Sequence, residues 1–210
     1  MAEELPPNRM TSRDIKAQER RQQILVVAKR MFAAGGYHAT SMRSLNKELG
    51  VAEALTYHYF PGGKLEILQT ILREGRDARI AEIKTIVSQL KDDLPLRDAL
   101  LLTARVGISL YAGDKELIQI GMRERNWLRH EEWVRTFPIQ ESPVAPLREY
   151  FARRMAQGEI RTMDLTFAVS QFFSGILMHS FFGDEEGDAA ANDELYLNKL
   201  VEFTANLWST

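Results

Sequence analysis

The feature that most constrains the fold is a pair of short helical segments around a glycine-containing turn, between residues 40 and 68. The first segment follows Thr40-Ser41 and ends at Gly50-Val51. The second ends in the aromatic run Tyr57-His58-Tyr59-Phe60, and Pro61-Gly62-Gly63 then breaks the chain before another helix. Two short helices joined by a tight turn with glycine are typical of a helix-turn-helix, whose second helix lies in the major groove of DNA. This pattern therefore predicts a DNA-binding unit.

An amphipathic helix precedes this pair. Its apolar residues recur at i, i+3, i+4, i+7 and i+8, which is the spacing of one helix face. These residues are Ile24, Val27, Ala28, Met31 and Phe32, and Gly35-Gly36 ends the helix. The order of these elements resembles the N-terminal domain of the tetracycline-repressor (TetR) family of bacterial transcription regulators. That order is helix, Gly-Tyr-x-x-Thr-Ser, helix, Gly-Val, helix, Tyr-His-Tyr-Phe and Pro-Gly-Gly-Lys.

The resemblance implies an all-α fold with an N-terminal three-helix head on a C-terminal helical body. Helix signals predict about nine helices in all. The predicted division is a disordered arm over residues 1–15, a helix-turn-helix domain over 16–64, and an effector-binding and dimerisation domain over 65–210. Among the later helices, Asp114 and Asp164 are predicted to cap two of them, and Asn192 or Asp193 to open the last.

The resemblance also implies which residues contact DNA. Family members use tyrosines at positions such as Tyr57 and Tyr59, and a lysine such as Lys64, to contact phosphates. Leu55 and Thr56 face either the core or base edges. The Glu53 carboxylate either accepts a hydrogen bond from a cytosine or is solvated. The predicted contact residues are Thr40, Ser41, Arg43, Glu53, Ala54, Leu55, Thr56, Tyr57, His58, Tyr59 and Lys64.

Three residues depart from the family pattern. Asn46 stands where a small residue is usual. Ala52 and Glu53 stand where a Ser or Thr cap followed by a Lys or Arg is usual. An alanine cannot cap backbone N–H groups with its side chain, and a glutamate repels phosphate. We therefore expect the fold to be retained while tight operator binding is put in question.

Composition restricts the class of protein further. The chain has no cysteine, which excludes disulfide scaffolds and thiol chemistry, and no apolar run long enough to span a bilayer. The N-terminus is polar rather than a secretory signal, so a cytoplasmic location without membrane association is expected. Residues 1–64 hold ten Lys and Arg against six Asp and Glu, and residues 65–210 hold seventeen against twenty-three. This asymmetry fits a DNA-binding head on an acidic body.

The C-terminal body is predicted to dimerise and to bind a small molecule. Two apolar helices near 164–182 and 193–208 would form a four-helix bundle with a second chain, as the family does. The alternative is that both are buried within one chain. The predicted dimer residues are Phe173, Ile176, Leu177, Leu200, Phe203 and Leu207. The predicted effector residues, in a mostly apolar cavity, are Arg105, Met122, Trp127, Phe172 and His179.

Enzyme signals are missing from the sequence. The four histidines lack metal-ligand spacing, and no P-loop, dinucleotide motif or activated nucleophile is recognisable, so no metal and no cofactor is expected. The sequence predicts a homodimeric, ligand-responsive regulator that acts as a repressor and binds a roughly palindromic operator. Two alternatives remain: a ligand-binding or protein-interaction module with weak or lost operator binding, and a small all-α enzyme.

Overall fold

The computed structural model describes residues 11–124, 144–182 and 189–210. Within those ranges the chain forms nine α-helices and no strand, as the all-α prediction requires. The helices are α1 (Ser12–Gly35), α2 (Met42–Leu49), α3 (Glu53–Tyr59), α4 (Gly63–Val87), α5 (Leu96–Gly113), α6 (Lys115–Arg123), α7 (Ala145–Ala156), α8 (Leu165–Phe182) and α9 (Ala189–Trp208).

The start of α1 corrects the predicted disordered arm. Thr11 is the N-cap: its hydroxyl accepts from the backbone N–H of Asp14, and the Asp14 carboxylate accepts from the backbone N–H of Thr11. This reciprocal capping box satisfies two N–H groups at the helix start, so Ser12–Ile15 are helical rather than disordered. The rest of the predicted arm, residues 1–10, lies outside the described residues.

Aspartates cap two of the later helices, as predicted. The Asp114 carboxylate accepts from the backbone N–H of Leu117 at 3.0 Å, and that of Asp164 accepts from Phe167 at 3.1 Å. The last helix begins earlier than predicted, at Ala189. Alanine has the highest helix propensity of all residues, so the run of three alanines before Asn192 extends the helix.

The chain forms two compact units. The described part of the first comprises residues 11–73 and 119–124, and that of the second comprises residues 74–118, 144–182 and 189–210. The sequence assigned all of residues 65–210 to one domain and did not anticipate that residues from Gln119 onward belong with the N-terminal helices. The first unit is built on the buried face of α1, with Ile24, Ala28 and Phe32 fully enclosed.

In the second unit, α5, α7, α8, α9 and the C-terminal end of α4 enclose one hydrophobic core. Glycine allows α5 and α8 to approach closely, since a Cβ on Gly107 would lie 3.0 Å from the Ile176 Cδ1 atom. The aromatic rings of Phe151 and Trp208 meet edge to face at a centroid distance of 5.2 Å. No helix within the described ranges is long and apolar enough to cross a membrane.

Candidate nucleic-acid interface

The turn between α2 and α3 has the geometry that the Gly-Val pair predicts. Gly50 adopts the left-handed conformation, with φ 66° and ψ 32°. The backbone N–H of Val51 then donates to the carbonyl of Asn46 at 3.1 Å, and that of Gly50 to the carbonyl of Lys47 at 3.2 Å. This pair of bonds is a Schellman motif, which closes the last turn of a helix. At the other end of α2, Ser41 forms a capping box with Ser44.

Helix α3 begins without a side-chain cap, because Ala52 occupies the N-cap position, as the sequence indicated. Glu53 is exposed in the first turn, where its negative charge is favourable for the helix. Ala54, Tyr57 and His58 are also exposed, while Leu55 and Tyr59 are half-buried. The exposed face of α3 thus combines a carboxylate, a methyl group, a phenol and an imidazole.

Two of the predicted contact residues are enclosed and unable to contact DNA in this conformation. Thr56 is fully buried between α2 and α3, so the core alternative holds for it. Thr40 is 5% exposed, and its hydroxyl donates to the carbonyl of Gly36 at 2.9 Å. Because this bond closes the connection between α1 and α2, Thr40 acts within the fold. We therefore remove both threonines from the candidate contact surface.

The ammonium group of Lys64 also forms its hydrogen bonds within the first unit. Its Nζ donates to the carbonyls of Tyr37 at 2.9 Å and Thr40 at 2.8 Å, and lies 4.3 Å from the centroid of the Tyr37 ring. Burial lowers the pKa of Lys64, and the negative charge of Glu124 acts in the opposite direction. The ammonium therefore holds the connection that positions α2. A phosphate contact by Lys64 stays a prediction.

The second glycine of Pro-Gly-Gly-Lys has a structural reason. Gly63 has a φ of +65°, which L-residues rarely adopt, and a Cβ there would lie 3.2 Å from Cε1 of the Tyr57 ring. Tyr57 itself is 41% exposed. Gly63 therefore permits both the sharp entry into α4 and the position of the Tyr57 ring, which stands at the edge of the candidate interface.

The C-terminal end of α6 contributes a contact that the sequence did not reveal. Arg123 donates from Nη1 to the carbonyls of Ala33 at 3.2 Å and Ala34 at 2.7 Å, at the C-terminal end of α1. Glu124 is buried, and its Oε1 accepts from the backbone N–H of Tyr37 at 2.9 Å. Neighbouring residues at the end of α6 thus bind carbonyls in the last turn of α1 and the N–H of Tyr37, two residues after the end of that helix.

The predicted effector residues fall in different settings. Arg105 lies on the surface, where its guanidinium pairs with Glu194 at 3.0 Å, so we do not retain it in a cavity. Phe172 is buried in the second unit. His179 Nε2 lies 2.8 Å from Asp193 Oδ1, and its ring stacks on Tyr196 at 4.0 Å. Met122 is exposed in the first unit, and Trp127 lies outside the described residues.

The predicted dimer residues separate into two groups. Phe173 and Ile176 are enclosed in the core of their own unit. For these two residues the structure agrees with the alternative, burial within one chain. Leu177 and Leu200 are half-buried, whereas Phe203 and Leu207 are exposed. A mostly apolar groove of about 340 Å³ runs along α8 and α9. Its apolar lining includes Ala168, Phe172, Gly175, Met178, Leu200, Phe203 and Leu207, and its polar lining is Gln171, Ser174 and Thr204.

Together these features define an all-α protein that carries a complete helix-turn-helix. The family model described as bacterial regulatory proteins of the tetR family matches residues 24–71. This part of the chain is therefore similar to the DNA-binding domain of that family, and over 93% of its length the chain has the fold of a solved putative TetR-family regulator from Mesorhizobium loti, with a TM-score of 0.69.

Among known relatives, the uncharacterized HTH-type transcriptional regulator YxaF of Bacillus subtilis (strain 168) is 43% identical over 58 residues. This match covers 28% of either chain. Among solved structures, AibR in complex with isovaleryl coenzyme A and operator DNA is 24% identical with a TM-score of 0.69, covering 88% of this chain and 97% of AibR. The ketosteroid transcriptional regulator KstR2 of Mycobacterium tuberculosis is 17% identical with a TM-score of 0.70, covering 91% of this chain and 95% of that one.

Proposed function

We propose that this protein is a ligand-responsive transcriptional repressor that binds a roughly palindromic operator as a homodimer. The observation that carries the proposal is the exposed face of α3, held on a capped α2 by a complete Schellman turn. A helix presented in this way enters the major groove with its exposed side chains toward the base edges. Ala54 and His58 are the residues proposed to contact bases.

The surroundings of α3 supply groups that suit phosphates. Arg43 is exposed on α2, and Ser41 is exposed at its N-terminus. The hydroxyl of Tyr57 lies at the end of a partly exposed ring. Phosphate contacts of this kind fix the register of a protein on DNA, while base contacts give specificity. We retain Ser41, Arg43, Glu53, Ala54, Leu55, Tyr57, His58 and Tyr59 as the candidate DNA surface, with Lys64 beside it.

For the effector we propose an amphipathic small molecule bound in the second unit near Phe172 and His179. Two proteins with the same fold support this class, because AibR was crystallised with isovaleryl coenzyme A and KstR2 is a ketosteroid transcriptional regulator. Helix α6 is the proposed route to the DNA-binding face. Its residues up to Ile118 belong to the second unit, and its last residues bind the end of α1.

The test of the function is equilibrium binding to DNA at several salt concentrations. A duplex selected by the protein from a randomised pool would be compared with the unselected pool. Affinity for both should fall steeply with salt, because phosphate contacts release counterions. Tyr57→Phe should weaken both about equally, by roughly tenfold, as expected for a lost hydrogen bond to a charged group. The absence of any preference for the selected duplex would refute operator binding.

A second candidate function, a family-like module with weak operator binding, is favoured by the uncapped start of α3 and by exposed Glu53. Glu53→Lys distinguishes the two. If Glu53 only repels phosphate, this variant should bind the unselected pool more tightly while it keeps its preference for the selected duplex. Loss of that preference in a folded variant would instead show that Glu53 contacts a base.

A further inference from the structure

A buried polar pair links the two helices of the motif. The Thr56 hydroxyl on α3 donates to Oδ1 of Asn46 on α2, and both residues are enclosed, Asn46 at 5% exposure. The Nδ2 of Asn46 is also buried, and it has no hydrogen-bond partner within the part of the chain that the structure describes. Asn46 is one of the residues at which this sequence departs from the family pattern.

This arrangement is a poor way to gain stability. A buried amide N–H without a partner costs desolvation free energy, whereas two apolar side chains of the same shape would pack there without that cost. Buried polar groups can instead select one geometry among several, because their hydrogen bonds are directional and apolar contacts are not. The pair therefore calls for an explanation in terms of geometry.

The position of the pair shows which geometry it fixes. Helix α3 has only seven residues, and Thr56 is the single fully buried one among them. Successive side chains on a helix are about 100° apart, so the direction of Thr56 sets the directions of Tyr57 and His58. On the other side of the bond, the backbone carbonyl of Asn46 accepts from Val51 at 3.1 Å. One residue thus fixes both the turn and the rotation of α3.

We propose that Asn46 and Thr56 are specificity-determining positioning residues, which set the rotation of α3 so that Ala54 and His58 face the base edges. The proposal rests on the proposed DNA-binding function. Neither residue contacts DNA, since both are enclosed. Their effect is on discrimination between sequences, and the stability of the head does not depend on them as a pair.

The decisive variant is the double replacement Asn46→Leu/Thr56→Val, which keeps the two shapes and removes every polar atom of the pair. The single variants Asn46→Leu and Thr56→Val leave one polar side chain buried without its partner. Thr56→Ser keeps the hydroxyl and serves as the rescue. Thr103→Val is the matched control, because Thr103 is equally buried but its hydroxyl donates to Ala99 of its own helix α5.

Two readouts are needed. The first is the ratio of affinities for the selected duplex and the unselected pool, together with the urea midpoint of unfolding. The double variant should unfold at the wild-type urea midpoint or above. Its ratio of affinities should nevertheless fall by about tenfold or more, which is the effect of one misplaced base contact. Its affinity for the unselected pool should fall less than its affinity for the selected duplex, because Ser41 and Arg43 on α2 are not moved by a rotation of α3. Thr56→Ser and Thr103→Val should keep the wild-type ratio.

The second readout is amide hydrogen exchange of residues 53–59 in the protein without DNA. Exchange there should accelerate in the double variant although the global midpoint is kept, because α3 is free to rotate. A double variant with the wild-type ratio overturns the proposal. If the wild type itself shows no sequence preference, the proposed function fails, and exchange alone then decides: unchanged exchange in the double variant refutes the positioning role.

Discussion

At the scale of single residues, Gly63 illustrates how a backbone conformation positions a side chain of the candidate interface. Its φ of +65° is strained for an L-residue, and a Cβ there would lie 3.2 Å from the Tyr57 ring, which would have to shift by a few tenths of an ångström. We predict that Gly63→Ala lowers the free energy of unfolding by about 1–2 kcal/mol, the cost of an L-residue in this conformation. It should also weaken DNA binding on all sequences, because the Tyr57 ring must move away from the alanine Cβ. Urea unfolding and binding to the unselected pool measure the two effects.

The matched control is Gly158→Ala. Gly158 has a similarly positive φ of +82°, but a Cβ there would have no atom within 4 Å. The Gly158→Ala variant should lose a similar amount of unfolding free energy, and it should bind DNA as tightly as the wild type does. Equal DNA affinity of the two variants would contradict the role of Gly63 in positioning Tyr57.

Single residues also show why a site is only partly predictable from sequence. The capping role of Ser41 and the missing cap at Ala52 depend on the residue and its immediate neighbours, so both were predictable. Lys64 was assigned to phosphate, but its ammonium binds carbonyls that lie 24 and 27 residues earlier in the chain. Whether a polar side chain meets solvent or a distant backbone group is a property of the tertiary fold.

At the scale of the helix, the end of α6 is the contact most open to test. Arg123 brings a positive charge to the C-terminal carbonyls of α1, where the helix dipole favours it. We predict that Arg123→Met lowers the free energy of unfolding by about 1–2 kcal/mol. DNA binding should weaken as well, because the end of α1 leads into the connection that holds α2. Unfolding and binding measurements on the same samples would show both effects.

Arg105→Met is the comparison for that variant. Arg105 pairs with Glu194 on the surface of the second unit, and exposed ion pairs contribute little to stability. Its unfolding and its DNA binding should stay close to those of the wild type. If Arg123→Met behaves in the same way, the contact between α6 and α1 has no role in the DNA-binding face.

Helix positions were predictable because caps and apolar spacing are local. Asp114 and Asp164 mark the starts of α6 and α8 by chemistry that acts within one turn. The partner of each helix was not predictable in the same way. The period of α6 shows that one face is buried, but it does not show that Gln119 and the residues after it join the N-terminal helices.

At the scale of the whole molecule, the apolar helices α8 and α9 carry both an internal core and an exposed groove. The periodicity of α8 predicted that it is covered on more than one side, and Ile176 is indeed fully buried against α5. The large exposed side chains are on other faces, among them Phe203 on α9 at 63% exposure and Met178 on α8 at 53%. When a helix is apolar nearly all round, the spacing of its apolar residues cannot show which face meets the core.

The proposed dimer is tested through that groove. Phe203→Glu places a charge on an exposed position of the groove, so the chain should still fold, while association would bury the carboxylate without a partner. We predict a 24.0 kDa monomer by light scattering at micromolar concentration, with the selected duplex bound far more weakly than by the wild type.

Val26→Glu is the control, since it changes an exposed apolar residue of α1 in the other unit and should leave the molecular mass at that of the dimer. A dimeric Phe203→Glu variant would exclude this groove as the interface, and a monomeric wild type would exclude the dimer itself. Two heads joined in this way explain how a short α3 with only a few base contacts could still select a site, since both half-sites must match at once.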